Sequence, residues 1–295
     1  MPATGTATGG AASCSRFFDR FAAQPLLIAH RGHRACFPEN TLCAFAQSVG
    51  RSQMIELDVQ LTADGVAVVF HDQRLTRTSN AALVVKELGL TSLNLCDWEL
   101  SQLRLLDLGT WFIDTDPFAT LRRGSVDRLH LLSLMPQRIL TLRELLAWAK
   151  ANTMPLNIEI KDMRHTRMND LIVPEVIREI RFAAVANEVV ISSFNHGYLR
   201  ICCTLAPEIA TAALQAGPSP PNLITYLQKL GVCAYHAEDA HVDATLVKTL
   251  RAAGLYVNVF TVNDLSRQQQ LFSFGVTGIF TDFLESAVYE LRQRD

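Results

Sequence analysis

The chain has 295 residues, of which 49% are hydrophobic and 19% charged, so it can bury a large core. Its formal net charge of −2 gives no basic surface of the kind that binds nucleic acid. No uninterrupted apolar run reaches about 18 residues, so we expect no transmembrane helix. Seven cysteines, an odd number without metal-like spacing, favour reduced thiols, and the absence of a signal-peptide pattern agrees with a cytoplasmic location.

The amino-terminal part of the chain predicts the start of a parallel sheet. Residues 1–16 are mostly small and polar, and we interpret them as a disordered tail. An apolar strand is predicted at residues 26–29, and a helix with apolar residues at helical spacing begins after Asn40 or Thr41, either of which could cap it. Another strand then begins at Met54. Strand, helix and strand in this order form the βαβ unit of a parallel sheet.

The strand from Met54 carries two carboxylates on one side. Glu56 and Asp58 are two residues apart, and alternate side chains of a strand point to the same side. Carboxylates held that close raise one another's pKa, which indicates a shared proton or a bound cation. The alternative is that the two carboxylates simply lie on a solvent-exposed face of the strand, without a functional role. A turn at residues 63–65 and an apolar run at 66–70 predict a hairpin that brings His71 opposite Glu56.

The rest of the chain alternates strands with helices. A capping box at residues 141–144 begins the clearest helix, and two others are predicted at 243–253 and 284–292. The three-residue turn of the hairpin requires its return arm to be antiparallel, because a parallel neighbour needs a long crossover. Eight parallel strands remain, and we predict a single (β/α)8 barrel over residues 17–295. The further strands are predicted at residues 156–160, 189–193, 209–214, 232–236, 256–262 and 278–282.

A segment at residues 73–138 interrupts this alternation. It contains no convincing parallel strand but holds Trp98, Trp111, Phe112 and Phe118. Insertions in barrels usually lie on the catalytic face. We therefore expect a small cap over the mouth whose aromatic side chains line the entrance. The alternative is that these side chains only pack the segment on itself.

Several polar residues are predicted at the carboxyl ends of the strands, where barrel enzymes place their chemistry. Three carboxylates there would form a hard oxygen site suited to Mg²⁺ or Ca²⁺ rather than zinc. An arginine and a lysine would contact a phosphate, and two histidines could act as acid and base. Together they predict metal-assisted hydrolysis of a phosphodiester. The residues are His30, Arg31, Glu56, Asp58, His71, Glu159 and Lys161.

The other histidines and two serines have no predicted role in the reaction. His236 ends a predicted strand and could face the pocket, whereas the remaining histidines, His33 among them, are expected at the surface or at caps. Ser192 and Ser193 also end a strand. They lack the G-x-S-x-G context of a nucleophile elbow, so serine hydrolase chemistry is rejected.

Four blocks of this sequence resemble the glycerophosphodiester phosphodiesterase family. They are IAHRGHRACFPENT, IELDVQLTADGVAVVFHD followed by RLTRT, LNIEIK, and YVNVFTVN with GIFTD, and the resemblance spans about residues 26 to 285. It implies a PLC-like (β/α)8 barrel with a small inserted domain. It also implies divalent-cation-dependent hydrolysis of deacylated phospholipids, such as glycerophosphocholine or glycerophosphoethanolamine, to sn-glycerol 3-phosphate and an alcohol.

The resemblance implies a role for each residue at a matching position. His30 and His71 match the catalytic pair, and we take His30, beside Arg31, as the base. Phe260 stands where the family has tryptophan, which puts the preference for the glycerol or the alcohol in question. The metal ligands match Glu56, Asp58 and Glu159, the phosphate contacts match Arg31 and Lys161, and supporting pocket positions match Glu39 and Asn40.

Two other functions compete with this interpretation. One is a related barrel of the lysophospholipase D or phosphatidylinositol-specific phospholipase C type, which acts on lipids. The other is a binding protein that keeps the barrel and has lost the chemistry. That protein would lack at least one of the two histidines or three carboxylates, and all five are present here.

Overall fold

The computed structural model describes residues 17–21 and 24–284, so the predicted tail and most of the last predicted helix lie outside the described residues. Within these described residues, nine strands form one sheet. They are β1 (Leu26–Ala29), β2 (Met54–Leu61), β3 (Ala67–Val69), β4 (Leu156–Ile160), β5 (Val189–Ser193), β6 (Ala210–Gln215), β7 (Ala234–Glu238), β8 (Tyr256–Phe260) and β9 (Gly278–Thr281).

Eight of these strands close into a parallel barrel. β1 pairs in parallel with both β2 and β9, and the order continues through β8, β7, β6, β5 and β4 back to β2. β3 pairs antiparallel with β2, with Val59 opposite Val69. Both the barrel and the antiparallel return arm were predicted from the sequence, and both are confirmed. The predicted pairing of His71 with Glu56 is wrong by one residue, because Phe70 is opposite Asp58 and the next position, His71, comes opposite Leu57.

Helices cover the outside of the barrel and fill the segment between β3 and β4. The predicted capping box is present, because the Thr141 side chain accepts from the Glu144 backbone and the Glu144 side chain accepts from Thr141. The helices are α1 (Leu42–Ala46), α2 (Ala81–Glu87), α3 (Leu100–Leu103), α4 (Thr110–Thr115), α5 (Arg128–Ser133), α6 (Leu142–Ala151), α7 (Ile172–Ala183), α8 (His196–Leu205), α9 (Leu223–Leu230), α10 (Ala244–Ala252) and α11 (Leu265–Phe274).

The hydrophobic core has two layers, separated by the barrel wall. In β2 the side chains of Leu57 and Val59 pack outward against the helices. Met54, on the opposite side of the same strand, packs inside the barrel with Phe280. Because side chains alternate, Glu56 and Asp58 share the inner side with Met54, nearer the carboxyl end of the strand. The fold therefore directs these two carboxylates into the barrel mouth.

The segment 73–138 differs from the prediction in the role of its aromatic residues. The Trp98 side chain is 1% exposed and packs in one cluster with Val68 and Phe70 of the hairpin arm. Phe112 is fully buried in a second cluster, with Trp111 and Phe118 packed against it. None of them lines the cavity at the barrel mouth. The prediction that they line the entrance is wrong, because their apolar area is used to pack the segment on itself and on its neighbours.

Two histidines lie deeper than the sequence suggested. His33 is 2% exposed and packs against Phe37, so its prediction as a surface or capping residue is wrong. His236 lies within β7, which continues to Glu238, two residues beyond the predicted strand end. This longer strand places His236 in the barrel interior, fully buried against Phe280.

Within the described residues, no helix has both the length and the apolar composition needed to cross a membrane.

Candidate active site

A cavity of about 210 Å³ opens at the carboxyl ends of the barrel strands. Polar residues line one part of it, and an apolar wall formed by three phenylalanines and a leucine lines another. The lining residues are His30, Arg31, Glu56, His71, Asn157, Glu159, Lys161, Phe194, Leu214, Phe260, Thr261 and Phe280. Six of the seven residues that the sequence assigned to the chemistry are among them, and the seventh, Asp58, lies directly beneath.

The three predicted metal-binding carboxylates come together. One oxygen atom from each of Glu56, Asp58 and Glu159 lies within 4.8 Å of the others, and all three residues are buried. Burial and the negative charges of Asp58 and Glu159 raise the pKa of Glu56 well above its ordinary value. The pKa of Asp58 is instead lowered, although burial opposes this, because Lys161 and Arg31 are close to it. Glu56 Oε1 and Asp58 Oδ1 are buried without a hydrogen-bond partner.

Two cations border this acidic cluster. Lys161 Nζ lies 2.6 Å from Glu159 Oε1 and 3.3 Å from Asp58 Oδ1. The Arg31 backbone N–H donates to Glu56 at 2.9 Å, and its Nε lies 3.2 Å from Asp58 Oδ2. Arg31 has a φ of 55°, a left-handed conformation that is uncommon outside glycine. This backbone geometry turns both its N–H and its guanidinium toward the carboxylates.

His30 is held by a carboxylate from the last strand of the barrel. Its Nδ1 lies 2.8 Å from Asp282 Oδ1, directly after β9, and Asp282 also accepts from Asn263 and Arg34. Burial lowers the pKa of His30, against the opposing effect of Asp282. An Nδ1–H donated to Asp282 leaves the lone pair on Nε2.

His71 is held in a similar way by its neighbour in the sequence. Its Nδ1 lies 2.5 Å from Asp72 Oδ1, and Arg77 donates to both oxygens of Asp72. The buried Gln60 side chain of β2 donates to the carbonyl oxygens of Phe70, His71 and Asp72. The end of the hairpin arm is therefore fixed from both sides of His71.

The supporting positions of the prediction fall in three different places. Asn40 Nδ2 donates to Asp58 Oδ2 at 2.9 Å, while Glu39 is buried beneath the cavity among arginines. His236 is not part of the cavity lining, and its Nε2 lies 3.0 Å from the Asn258 amide. Phe260 lines the cavity and meets Phe194 edge-on with ring centroids 5.8 Å apart.

The residues that orient the histidines were not predicted from the sequence. Asp282 could have been found, because it follows the last strand and a closed barrel brings that strand beside β1. Asp72 adjoins His71 in the sequence, so its position was also a signal. Arg34 and Arg77 lie within the blocks IAHRGHRACFPENT and RLTRT that carry the resemblance, but nothing in a local pattern indicates that their side chains turn inward.

Comparison with known proteins identifies the family. The model of the glycerophosphoryl diester phosphodiesterase family matches residues 30–286, which is most of the chain. The chain belongs to this family. A glycerophosphodiester phosphodiesterase from Caldanaerobacter subterraneus is 31% identical over 273 residues, covering 91% of this chain and 98% of the relative. One from Bacillus altitudinis is 30% identical and covers 89% and 96%. The protein is a glycerophosphodiester phosphodiesterase.

Solved structures of other phosphodiesterases share the fold. An Oleispira antarctica phosphodiesterase, in complex with sn-glycerol-3-phosphate, has a TM-score of 0.74 at 24% identity and covers 92% of this chain and 98% of its own. A glycerophosphodiester phosphodiesterase from Agrobacterium tumefaciens has a TM-score of 0.67 at 20% identity and covers 90% and 100%. At these identities the likeness establishes the barrel architecture for this chain.

Proposed function

We propose that this enzyme hydrolyses deacylated phospholipids, such as glycerophosphocholine or glycerophosphoethanolamine, to sn-glycerol 3-phosphate and an alcohol. The reaction depends on a divalent cation, Mg²⁺ or Ca²⁺. The observation that carries the proposal is the convergence of two aspartate-held histidines and three carboxylates at one cavity. The sn-glycerol-3-phosphate in the Oleispira antarctica relative supports the choice of product.

The carboxylates fit a divalent cation. Among the described residues, neither Glu56 Oε1 nor Asp58 Oδ1 has a hydrogen-bond partner, although Lys161 Nζ forms an ion pair with Asp58 Oδ1 at 3.3 Å. Buried carboxylate oxygens in this state are costly unless a cation or proton joins them. A donor set made of carboxylate oxygens suits a hard cation such as Mg²⁺ or Ca²⁺. When bound, such a cation stabilises negative charge on the phosphoryl oxygens. Glu56, Asp58 and Glu159 would hold it.

The two histidines divide the proton transfers between them. Because burial lowers the pKa of His30, its imidazole is neutral near pH 7 and can accept a proton from the attacking water at Nε2. His71 then donates a proton to the leaving alcohol oxygen. Asp282 and Asp72 hold the respective Nδ1 atoms, which fixes the tautomer and the ring orientation.

Arg31 and Lys161 bind the phosphate. Neighbouring carboxylates raise the pKa of both groups, so both stay charged over the working pH range. Both face the same cavity as the histidines. Arg31 offers a planar fork of N–H donors and Lys161 a compact charge, and both complement the phosphate oxygens.

The test is release of sn-glycerol 3-phosphate from glycerophosphocholine by the purified protein, with EDTA, Mg²⁺ or Ca²⁺. We expect release that requires a cation and is lost in His30→Ala. Absence of release from glycerophosphocholine and glycerophosphoethanolamine with either cation would overturn the proposal. Choline release from lysophosphatidylcholine in the same assay would then favour the lysophospholipase D reading.

A further inference from the structure

Glu39 is a buried carboxylate at the centre of three arginines, of which Arg31 and Arg34 are largely shielded and Arg77 is 41% exposed. Its side chain is 3% exposed and lies in the loop between β1 and α1. It accepts from Arg31 Nη1 at 2.8 Å, Arg34 Nε at 2.9 Å, Arg77 Nη1 at 2.9 Å and Arg77 Nη2 at 2.7 Å. A carboxylate has about four lone-pair sites, so its capacity to accept is filled. The arginines hold the pKa of Glu39 well below its ordinary value, against the effect of burial.

One arginine leads from Glu39 to the first histidine. While Arg34 Nε donates to Glu39, its Nη1 donates to Asp282 Oδ1 at 3.1 Å. That same oxygen lies 2.8 Å from His30 Nδ1. The orientation of the His30 ring is therefore linked to Glu39 through three successive contacts, by way of Arg34 and Asp282.

Another arginine leads from Glu39 to the second histidine. Arg77 binds both oxygens of Glu39 and both oxygens of Asp72, using Nε and its two terminal nitrogens. Asp72 in turn contacts His71 Nδ1. A lysine could not make this pair of bidentate contacts, because it lacks the planar fork.

We propose that Glu39 is a positioning residue that fixes the spacing of the two histidines, by holding Arg34 and Arg77 to one carboxylate. The inference rests on the proposed roles of His30 and His71. The histidines come from β1 and from the hairpin arm, and these two elements do not pair with each other. Acid and base must address opposite sides of one phosphorus, and an error of about 1 Å in such a geometry costs about 100-fold in rate.

A purely structural role for Glu39 is the competing explanation, and the chain offers a matched control. Glu179 is also buried and accepts from two arginines, Arg143 at 2.7 and 2.8 Å and Arg178 at 3.0 Å. It lies on α7, outside the barrel and away from the cavity. Glu179→Gln therefore breaks a comparable cluster without touching the link between the histidines.

The test compares kcat on two substrates that differ in their leaving group. Glycerophosphocholine releases an alkoxide that needs a proton, whereas glycerol 3-(4-nitrophenyl) phosphate releases a phenolate that does not. A misplaced acid slows only the first substrate, and a misplaced base slows both. The variants are Glu39→Gln, Arg34→Lys, Arg77→Lys and Glu179→Gln.

We expect Arg34→Lys, which disturbs the base His30, to slow both substrates. Arg77→Lys, which disturbs the acid His71, should slow mainly glycerophosphocholine. Glu39→Gln should combine the two effects, with a loss of about 100-fold on glycerophosphocholine and about 10-fold on the aryl ester, at little-changed KM. Glu179→Gln should keep the kcat of the wild type. If Glu39→Gln does not fold, Glu39→Asp should show the same combined pattern with smaller losses.

Two results would overturn the inference. One is a Glu39 variant that slows both substrates equally, because Glu39 would then act on the base alone. The other is an equal loss of kcat in Glu179→Gln, because the effect would then be one of general stability. Turnover of both substrates by the wild type upholds the proposed function in either case, so failure of the inference is distinguishable from failure of that proposal.

Discussion

His30 and Asp282 are 252 positions apart in the sequence, yet their Nδ1 and Oδ1 atoms lie 2.8 Å apart. Closure of the barrel brings them together, because β9 pairs with β1 and places Thr281 beside Ala29. The histidine that follows the first strand is therefore oriented by the carboxylate that follows the last.

Asp282→Asn should lower kcat by about 100-fold or more, because the amide no longer fixes the Nδ1–H tautomer of His30. Asp282 raises the pKa of His30, so its loss should also move the acidic limb of the pH profile of kcat to lower pH. Steady-state kinetics between pH 5 and 9 measure both effects. An unchanged kcat with an unchanged profile would mean that Asp282 does not orient His30.

Glu56→Gln should remove cation binding while stabilising the cation-free protein. The raised pKa of Glu56 shows that its negative charge is unfavourable there, and a neutral amide relieves the repulsion from Asp58 and Glu159. Calorimetric titration should show no binding of Mg²⁺ or Ca²⁺, and the melting temperature in EDTA should rise above that of the wild type. Retained affinity in the variant would remove Glu56 from the cation site. Glu87→Gln, at an exposed position of α2, is the control for loss of a carboxylate.

Arg31→Lys should lower kcat about 10-fold or more, although the charge is kept. One guanidinium contacts both Glu39 and Asp58, and an ammonium cannot span them in the same geometry. The loss should appear in kcat/KM for glycerophosphocholine, with the melting temperature changed by only a few degrees. Turnover equal to that of the wild type would assign the phosphate contact to Lys161 alone.

The free energy of unfolding should fall as the pH drops below about 6.5, in part because His33 is buried. Burial lowers the pKa of His33 to about 4, from 6.5. Between these values the unfolded chain binds a proton that the folded protein does not, so acid favours unfolding. From pH 7 to 5 this amounts to about 2 kcal/mol. Urea unfolding of His33→Leu should show a pH dependence weaker by that amount, and equal slopes would contradict the assignment.

Much of the fold could be predicted because local signals and barrel geometry agree. The hairpin turn at residues 63–65 required an antiparallel arm, and the remaining strands then numbered eight. Strand ends were less certain, since apolar residues continue past them. His236 is an example of such an uncertain strand end. Because β7 extends two residues further than its pattern indicated, His236 lies within the strand, with its side chain buried inside the barrel.

The residues that face the cavity were predictable, whereas those that hold them in place were less so. Glu56 stands at a strand position whose direction follows from the alternation of side chains. His71 lies just beyond the end of β3, where Asp72 and Gln60 hold it. Arg34 and Arg77 reach Glu39 through long side chains from loops, and their direction depends on tertiary packing. The position of the aromatic residues of the segment 73–138 was predicted wrongly for a similar reason. Composition does not distinguish an aromatic ring that contacts substrate from one that packs in a core.

The hairpin arm that carries His71 has a consequence for how the enzyme loses activity. On one side of the arm, Val68 and Phe70 share a hydrophobic cluster with Trp98 and with other residues of the segment 73–138, whereas Ala67 and Val69 on its other side pack in the main barrel core. His30, by contrast, follows a central barrel strand. Parts of a protein with separate cores open at separate free energies. The upper temperature of catalysis is therefore set by whichever opens first, the cluster around Trp98 or the main barrel core. The barrel can remain folded in an enzyme that has already lost its activity.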